Sequence, residues 1–207
     1  MRNSENPFFG KNIYLVGGGN SFDPILASRL PRDRVVCINS SYIFFKSFLA
    51  LFWMDHSWYQ KKSHKIKNLP DTLFYNISPH NHFNVRTNIK WVKLYSQDYK
   101  KYPENVSGEG VIGNNTGAAV IDYLDKMGAS KIYLLGFDCK RISGKSHCHS
   151  EYSFKVNETN YNSVFLPCFE ELSKNLQTSQ VYNCSLESAI KGFPFKRIER
   201  ILEEEKR

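Results

Sequence analysis

The sequence predicts a single α/β domain spanning residues 1–207, with a mostly parallel sheet, helices on both faces and a polar lid. Three observations carry this. Short apolar runs at 12–16, 34–38, 49–54 and 132–135 alternate with segments of helical length, the order that builds a parallel sheet through crossover helices. The first run ends in Gly17, Gly18 and Gly19, where glycine lets the backbone turn and approach a ligand. The stretch from Gly113 to Ala119 is a polar loop opening into a small-residue helix, followed by a buried run and then Asp138. That order sets Asn115, Thr116 and Asp138 along one edge of the sheet, where open α/β folds bind ligands.

The elements follow in order. Asp23 and Pro24 read as an N-cap with proline at the first helical position, opening a helix to about Leu30. Strands at 34–38 and 49–54 end at Asn39 and Asp55, and 56–66 reads as a helix. Residues 73–77 and 89–95 are strands, and the polar, glycine-containing stretch 96–111 is a long loop. In 116–127, Val120, Ile121, Leu124 and Met127 share one helical stripe. Strand 132–135 precedes a polar, irregular lid at 139–160. A helix at 165–176, a strand at 180–184 and a terminal helix at 195–205 complete the chain.

No apolar run approaches the roughly 20 residues of a membrane span, and residues 1–6 lack the apolar core of a signal peptide. A cytoplasmic location is the expectation. The five cysteines are odd in number and form no C-x-x-C pair, which fits reduced structural thiols. The net charge of +8 is uneven: residues 1–103 hold 15 basic against 6 acidic side chains, and 104–207 hold 13 against 14. Segment 59–102 is densest, with Lys61, Lys62, Lys90 and Lys93 interleaved with Trp91, Tyr95, Tyr99 and Tyr102. Basic groups neutralise phosphates while aromatic faces stack on bases or sugars, so these residues are candidates for holding an acceptor. A solvated basic face with core aromatics between is the alternative. The region 59–111 is accordingly a candidate insert that binds acceptor.

The loop from Gly17 through Asn20 and Ser21 lacks the G-x-G-x-x-G spacing and the lysine of a P-loop. Its glycines and the following helix start still suit an anionic ligand. Asn39 and Asp55 stand beyond neighbouring strands, where an amide or carboxylate meets a base, a ribose hydroxyl or a metal. His147 and His149 lie in the lid shortly after Asp138. A histidine there can take the proton of an acceptor hydroxyl. One H-x-H pair is a weak zinc signal, so no metal site is assigned. His147, His149 and Asp138 form the candidate catalytic set.

The G-x-G/N-x-S pattern at the first turn, the Asn after the second strand, and the small-residue helix leading to I-Y-L-x-G-x-D resemble a known group. It contains the bacterial lipooligosaccharide sialyltransferases and the related 6-hydroxymethyl-dihydropterin diphosphokinase-like Rossmann domains, common in phage genomes. The resemblance covers 12–21, 36–39, 52–55 and 114–138 and, more loosely, 147–176; segment 59–102 matches poorly. It implies a Rossmann-like fold and a nucleotide-sugar donor bound by Gly17 to Ser21 and Asn39. It implies that His149, followed by Ser150, is the general base, with His147 before it. Lid tyrosines stabilise the departing phosphate in that group, and Tyr152 lies nearby but out of register. A phage-encoded chain would work in the host cytoplasm.

The resulting expectation is a glycosyltransferase-like enzyme requiring no cofactor, with nucleotide over Gly17–Ser21, Asn39, Asp55, Asn115 and Thr116. Its acceptor would be a glycan hydroxyl or a hydroxymethylated DNA base, the latter flipped from the duplex. Two alternatives stand beside it. One is Mg²⁺-dependent diphosphate transfer through Asp55 or Asp138. The other is a nucleotide- or nucleic-acid-binding module without catalysis.

Overall fold

Eight parallel strands, in the order β6-β5-β4-β3-β2-β1-β7-β8, form one sheet in the computed structural model. It describes residues 6–81, 83, 88–97, 110–145, 147–149 and 158–206. The strands are β1 (Asn12–Val16), β2 (Val35–Ile38), β3 (Ala50–Trp53), β4 (Leu73–Ser78), β5 (Ile89–Ser96), β6 (Val111–Ile112), β7 (Lys131–Leu135) and β8 (Gln180–Asn183). From β1 the chain winds outward to β6, then crosses back to lay β7 on the other side of β1. The direction of winding therefore reverses between β1 and β7, and the crevice at their carboxyl ends is the place where such sheets take ligands.

Nearly every central strand position is buried, as expected for a parallel sheet covered on both faces. One face carries Leu15, Phe52, Tyr75 and Ile77 beneath α2 (Thr116–Lys126) and α4 (Leu166–Asn175). The other carries Tyr14, Val16, Leu51 and Trp53 beneath α1 (His56–Ile66) and α5 (Ile198–Glu204). A short α3 (Glu158–Asn160) runs through a π-helical turn, Tyr161–Phe165, into α4. This is the α/β, Rossmann-like architecture expected.

Several elements differ in detail. The helix expected to open at Pro24 is a 3₁₀ turn, Pro24–Ser28, with no fully buried residue; only Leu26 and Ala27, half-buried, pack against the core. Asp23 caps it as expected, accepting from the Ile25 amide at 2.9 Å. The terminal helix starts at Ile198. Phe195 instead bridges Asn183, because the Asn183 amide donates to Pro194 and the Lys196 amide to Asn183, extending the edge of β8. The end of the long loop becomes β6, a two-residue strand too short to show periodicity. Residues 98–109 of that loop, with Tyr99 and Tyr102, lie outside the described residues. So do 1–5, 82, Ser146, and the lid residues 150–157 that include Ser150 and Tyr152.

The region 59–111, read as a candidate insert, supplies most of α1 together with β4 and β5 to the common sheet. All five thiols are unbridged. Among the described residues no helix is long and apolar enough to cross a membrane.

Candidate active site

A cavity of about 470 Å³ lies at the carboxyl ends of the strands, directly over the reversal between β1 and β7. It is in the size range of small-molecule sites. Gly17, Gly18, Gly19, Asn39, Asp55, Asn115, Thr116, Asp138, His147 and His149 all line it. Asn20 and Ser21 do not line it, and bond instead to Ile142 and Asp138.

The glycine loop is tied to β7. The Gly17 amide donates to Leu135 at 2.8 Å and the Gly19 amide to Gly136 at 2.9 Å. A Cβ on Gly19 would sit 2.5 Å from the Gly136 oxygen and 2.8 Å from the Asp138 carboxyl carbon, so only glycine permits this approach. Asp138 is 3% exposed. Its carboxylate accepts from the Ser21 amide at 2.9 Å, from the Ser21 hydroxyl and from the Ser185 hydroxyl at 3.1 Å. Three donors offset the cost of burying that charge. The arrangement suits Asp138 to locking the loop.

Asn39 follows β2 in a left-handed conformation, φ 48°, which asparagine tolerates better than most residues. Its turn is fixed by Ser41, whose hydroxyl accepts from the Ile38 amide at 3.0 Å and donates to the Val16 carbonyl at 2.7 Å. The Asn39 Nδ2 lies 3.4 Å from Thr116 Oγ1, while its buried Oδ1 has no hydrogen-bond partner among the described residues. Asn115 is the N-cap of α2, its Oδ1 accepting from the Ala118 amide at 2.9 Å. The first turn of α2 thereby brings a partial positive charge to the cavity. Gly117 lets that turn pack on Phe137, since a Cβ there would lie 2.6 Å from the ring. Asp55 likewise caps α1, accepting from Ser57 at 2.8 Å and Trp58 at 3.3 Å.

The lid begins as a tight hairpin. Ile142 and Lys145 exchange two 3.0 Å hydrogen bonds across Ser143 and Gly144, both at positive φ, the geometry of a type I′ turn. Asn20 Nδ2 donates to Ile142 at 3.3 Å, and the Cys148 amide donates to the Gly18 carbonyl at 3.0 Å. These bonds bring the histidines over the glycine loop. Their rings are 5.5 Å apart, and a Cβ on Gly18 would lie 3.0 Å from His149 Nε2. Phe44 stands 6.3 Å from the His149 ring. Burial holds the His147 pKa below the ordinary 6.5, which keeps that imidazole neutral and able to accept a proton at neutral pH.

Lys61, Lys62, Lys90, Trp91 and Lys93 do not line the cavity. Lys61 and Lys62 belong to α1. Trp91 donates to the Ser78 carbonyl at 3.1 Å, Lys93 lies 4.9 Å from the Tyr95 ring, and Lys90 lines a groove at the amino ends of β4 and β5. Sequence reasoning missed Lys140, Tyr161, Phe165 and Phe169, which do line the cavity. For Lys140 a signal existed: it sits two residues past Asp138, at a strand end beside the reversal.

Asp55 and Asp138, either of which was a candidate for Mg²⁺, do not form a shared carboxylate pair. The two acids follow β3 and β7, three strands apart in the sheet, or roughly 14 Å at the usual strand spacing. Among the described residues no three His, Cys, Asp or Glu side chains cluster as a metal site.

These features define a Rossmann-like α/β domain with a ligand cavity at its switch point. No family model and no curated protein matches the sequence. Solved structures of the same fold include an α-2,3-sialyltransferase from Campylobacter jejuni in apo form, 18% identical with a TM-score of 0.50, over 93% of this chain and 84% of that one. The monofunctional α-2,3-sialyltransferase Cst-I from Campylobacter jejuni is 16% identical with a TM-score of 0.54, over 90% and 80%. The sialyltransferase CST-II in complex with trisaccharide acceptor and CMP is 15% identical with a TM-score of 0.50, over 89% and 85%. At these identities the likeness is one of fold.

Proposed function

We propose that this chain is a glycosyltransferase that moves a sugar from a nucleotide-sugar donor to an acceptor hydroxyl. The observation that carries the reading is the placement of His147 and His149 over a glycine loop at the switch point, in one cavity with Asn39 and the start of α2. The sialyltransferase fold of the solved structures, one of them holding CMP and a trisaccharide acceptor, supports the same class.

The nucleotide lies over Gly17, Gly18, Gly19, Asn39 and Thr116, its phosphate toward the amino end of α2. The sugar points to the histidines. His149, or His147 beside it, removes the acceptor proton as the hydroxyl oxygen attacks the anomeric carbon, a contribution of roughly 10²–10⁴ in rate. Asp138 positions the loop through Ser21, and the lid excludes water. A glycan hydroxyl is the acceptor favoured here, because Lys61, Lys62, Lys90, Trp91 and Lys93, the residues suited to nucleic acid, do not line the cavity.

The test is a thermal-shift screen of CMP, UDP, GDP, ATP and their sugar conjugates, with and without Mg²⁺. A bound ligand at about 100 times its dissociation constant adds about 2.7 kcal/mol of stability. A nucleotide or its sugar conjugate should raise the melting temperature without Mg²⁺. No shift with any of them would overturn the reading.

A further inference from the structure

Lys140 is the only lysine or arginine among the described residues that line the cavity. It shares that lining with the acids Asp55 and Asp138, so an incoming phosphate meets two carboxylates and needs a counter-charge. Asp138 is occupied by Ser21 and Ser185, and the start of α2 offers only a partial charge. Lys140 follows Cys139, a non-glycine residue at φ 47° that turns the chain as it leaves the Asp138 anchor. Its ammonium is only loosely engaged. The Glu187 carboxylate is 3.9 Å away, beyond hydrogen-bond distance, and the two side chains are 42% and 67% exposed. Such a pair holds weakly in water, and the four-carbon stem lets the ammonium swing.

We propose that Lys140 leaves Glu187 to bind the donor phosphate and stabilises the charge that grows there as the sugar departs. This rests on the glycosyltransferase reading and deepens it. In the transfer, the bond from the anomeric carbon to the phosphate oxygen breaks and its electron pair stays on that oxygen. The acceptor oxygen bonds to the anomeric carbon, and its proton passes to the histidine. The phosphate thus gains one negative charge, and a cation already in place stabilises it without reorganisation.

The experiment compares each nucleotide with its own nucleoside: CMP with cytidine and UDP with uridine, by calorimetry for the nucleotides and ligand-observed NMR for the nucleosides. Lys140→Gln should weaken the phosphate-bearing ligand roughly 10- to 100-fold, as expected when a charge-assisted hydrogen bond is removed, and change the nucleoside less than about twofold. Lys140→Arg should recover most of the nucleotide affinity. Glu187→Gln, which removes the competing carboxylate, should tighten the nucleotide and leave the nucleoside alone; unchanged or weaker nucleotide binding would remove Glu187 from the proposal. Both substituted positions are exposed, and a thermal melt of each variant checks that it folds. If the unaltered chain binds nucleotide and Lys140→Gln changes neither ligand, or both equally, the Lys140 role is overturned while the glycosyltransferase reading stands. If the unaltered chain binds no nucleotide, both fall together.

Discussion

Asn39 places in the wall of the cavity an amide oxygen with no partner among the described residues, and an unsatisfied buried acceptor costs about 1–3 kcal/mol. A base amino group, a ribose hydroxyl or a water ordered by the ligand ends that deficit on binding. Asn39→Gly should therefore weaken nucleotide binding by about 1–3 kcal/mol in calorimetry. It should still fold, because glycine adopts φ 48° freely; unchanged affinity would return Asn39 to a turn role. The histidines separate by function. His149→Ala should lower turnover by roughly 10²–10⁴ and leave donor affinity near normal, and the reverse pattern between His147→Ala and His149→Ala would move the base to His147. His147 also predicts a pH effect on stability. Its folded pKa is depressed below 6.5, so below pH 6.5 the unfolded chain takes up a proton that the native state resists. The stability this group contributes is complete above 6.5 and falls as the pH drops from there toward the folded value. Denaturant melts at pH 7.5 and 5.5 should show the loss, and His147→Gln should reduce it.

At the scale of elements, α2 ties fold to site, because its capping residue also lines the cavity. Asn115→Ala removes the acceptor of the Ala118 amide and should cost about 1 kcal/mol of stability. It should also weaken nucleotide binding, since the first turn frays where the phosphate would lie. Asn115→Ser, which can still cap, should restore the melting temperature; a full loss with serine would show that the amide does more than cap. The same double use explains what the sequence could and could not reveal. The helices at His56–Ile66 and Thr116–Lys126 and strands β1, β2, β3 and β7 were readable from periodicity and buried runs. Asn39, Asp55 and Asn115 were readable as polar residues at strand and loop ends. Whether such a residue caps, turns or binds depends on where its neighbours end, and Asp55 and Asn115 prove to cap helices while lining the cavity. The aromatic wall of Tyr161, Phe165 and Phe169 was missed because residues 161–164 were not read as helical, although the i, i+4, i+8 spacing places all three on one face. Periodicity alone does not tell a face that lines a cavity from one that packs on the core.

The charge is uneven along the chain, and four lysines of its densest segment, Lys61, Lys62, Lys90 and Lys93, do not line the cavity. Lys61 and Lys62 ride on α1, whereas Lys90 and Lys93 lie along β5, with Lys90 near the opposite ends of the strands from the cavity. The lining holds only one of the chain's lysines and arginines among the described residues. Two consequences follow for a variant with Lys61, Lys62, Lys90 and Lys93 all changed to Gln. Donor affinity and turnover on a small saccharide acceptor should stay within about twofold of the unaltered chain, since none of the four side chains lines the cavity. Any binding of the chain to duplex DNA should fall, and its log–log salt slope should flatten by about 0.9 for each phosphate that the variant no longer neutralises. A large loss of turnover on the small acceptor would bring the basic segment into the active site after all. A salt slope near zero in the unaltered chain would leave the basic face a solvated surface and the acceptor a glycan, reached through the cavity mouth where the lid histidines stand.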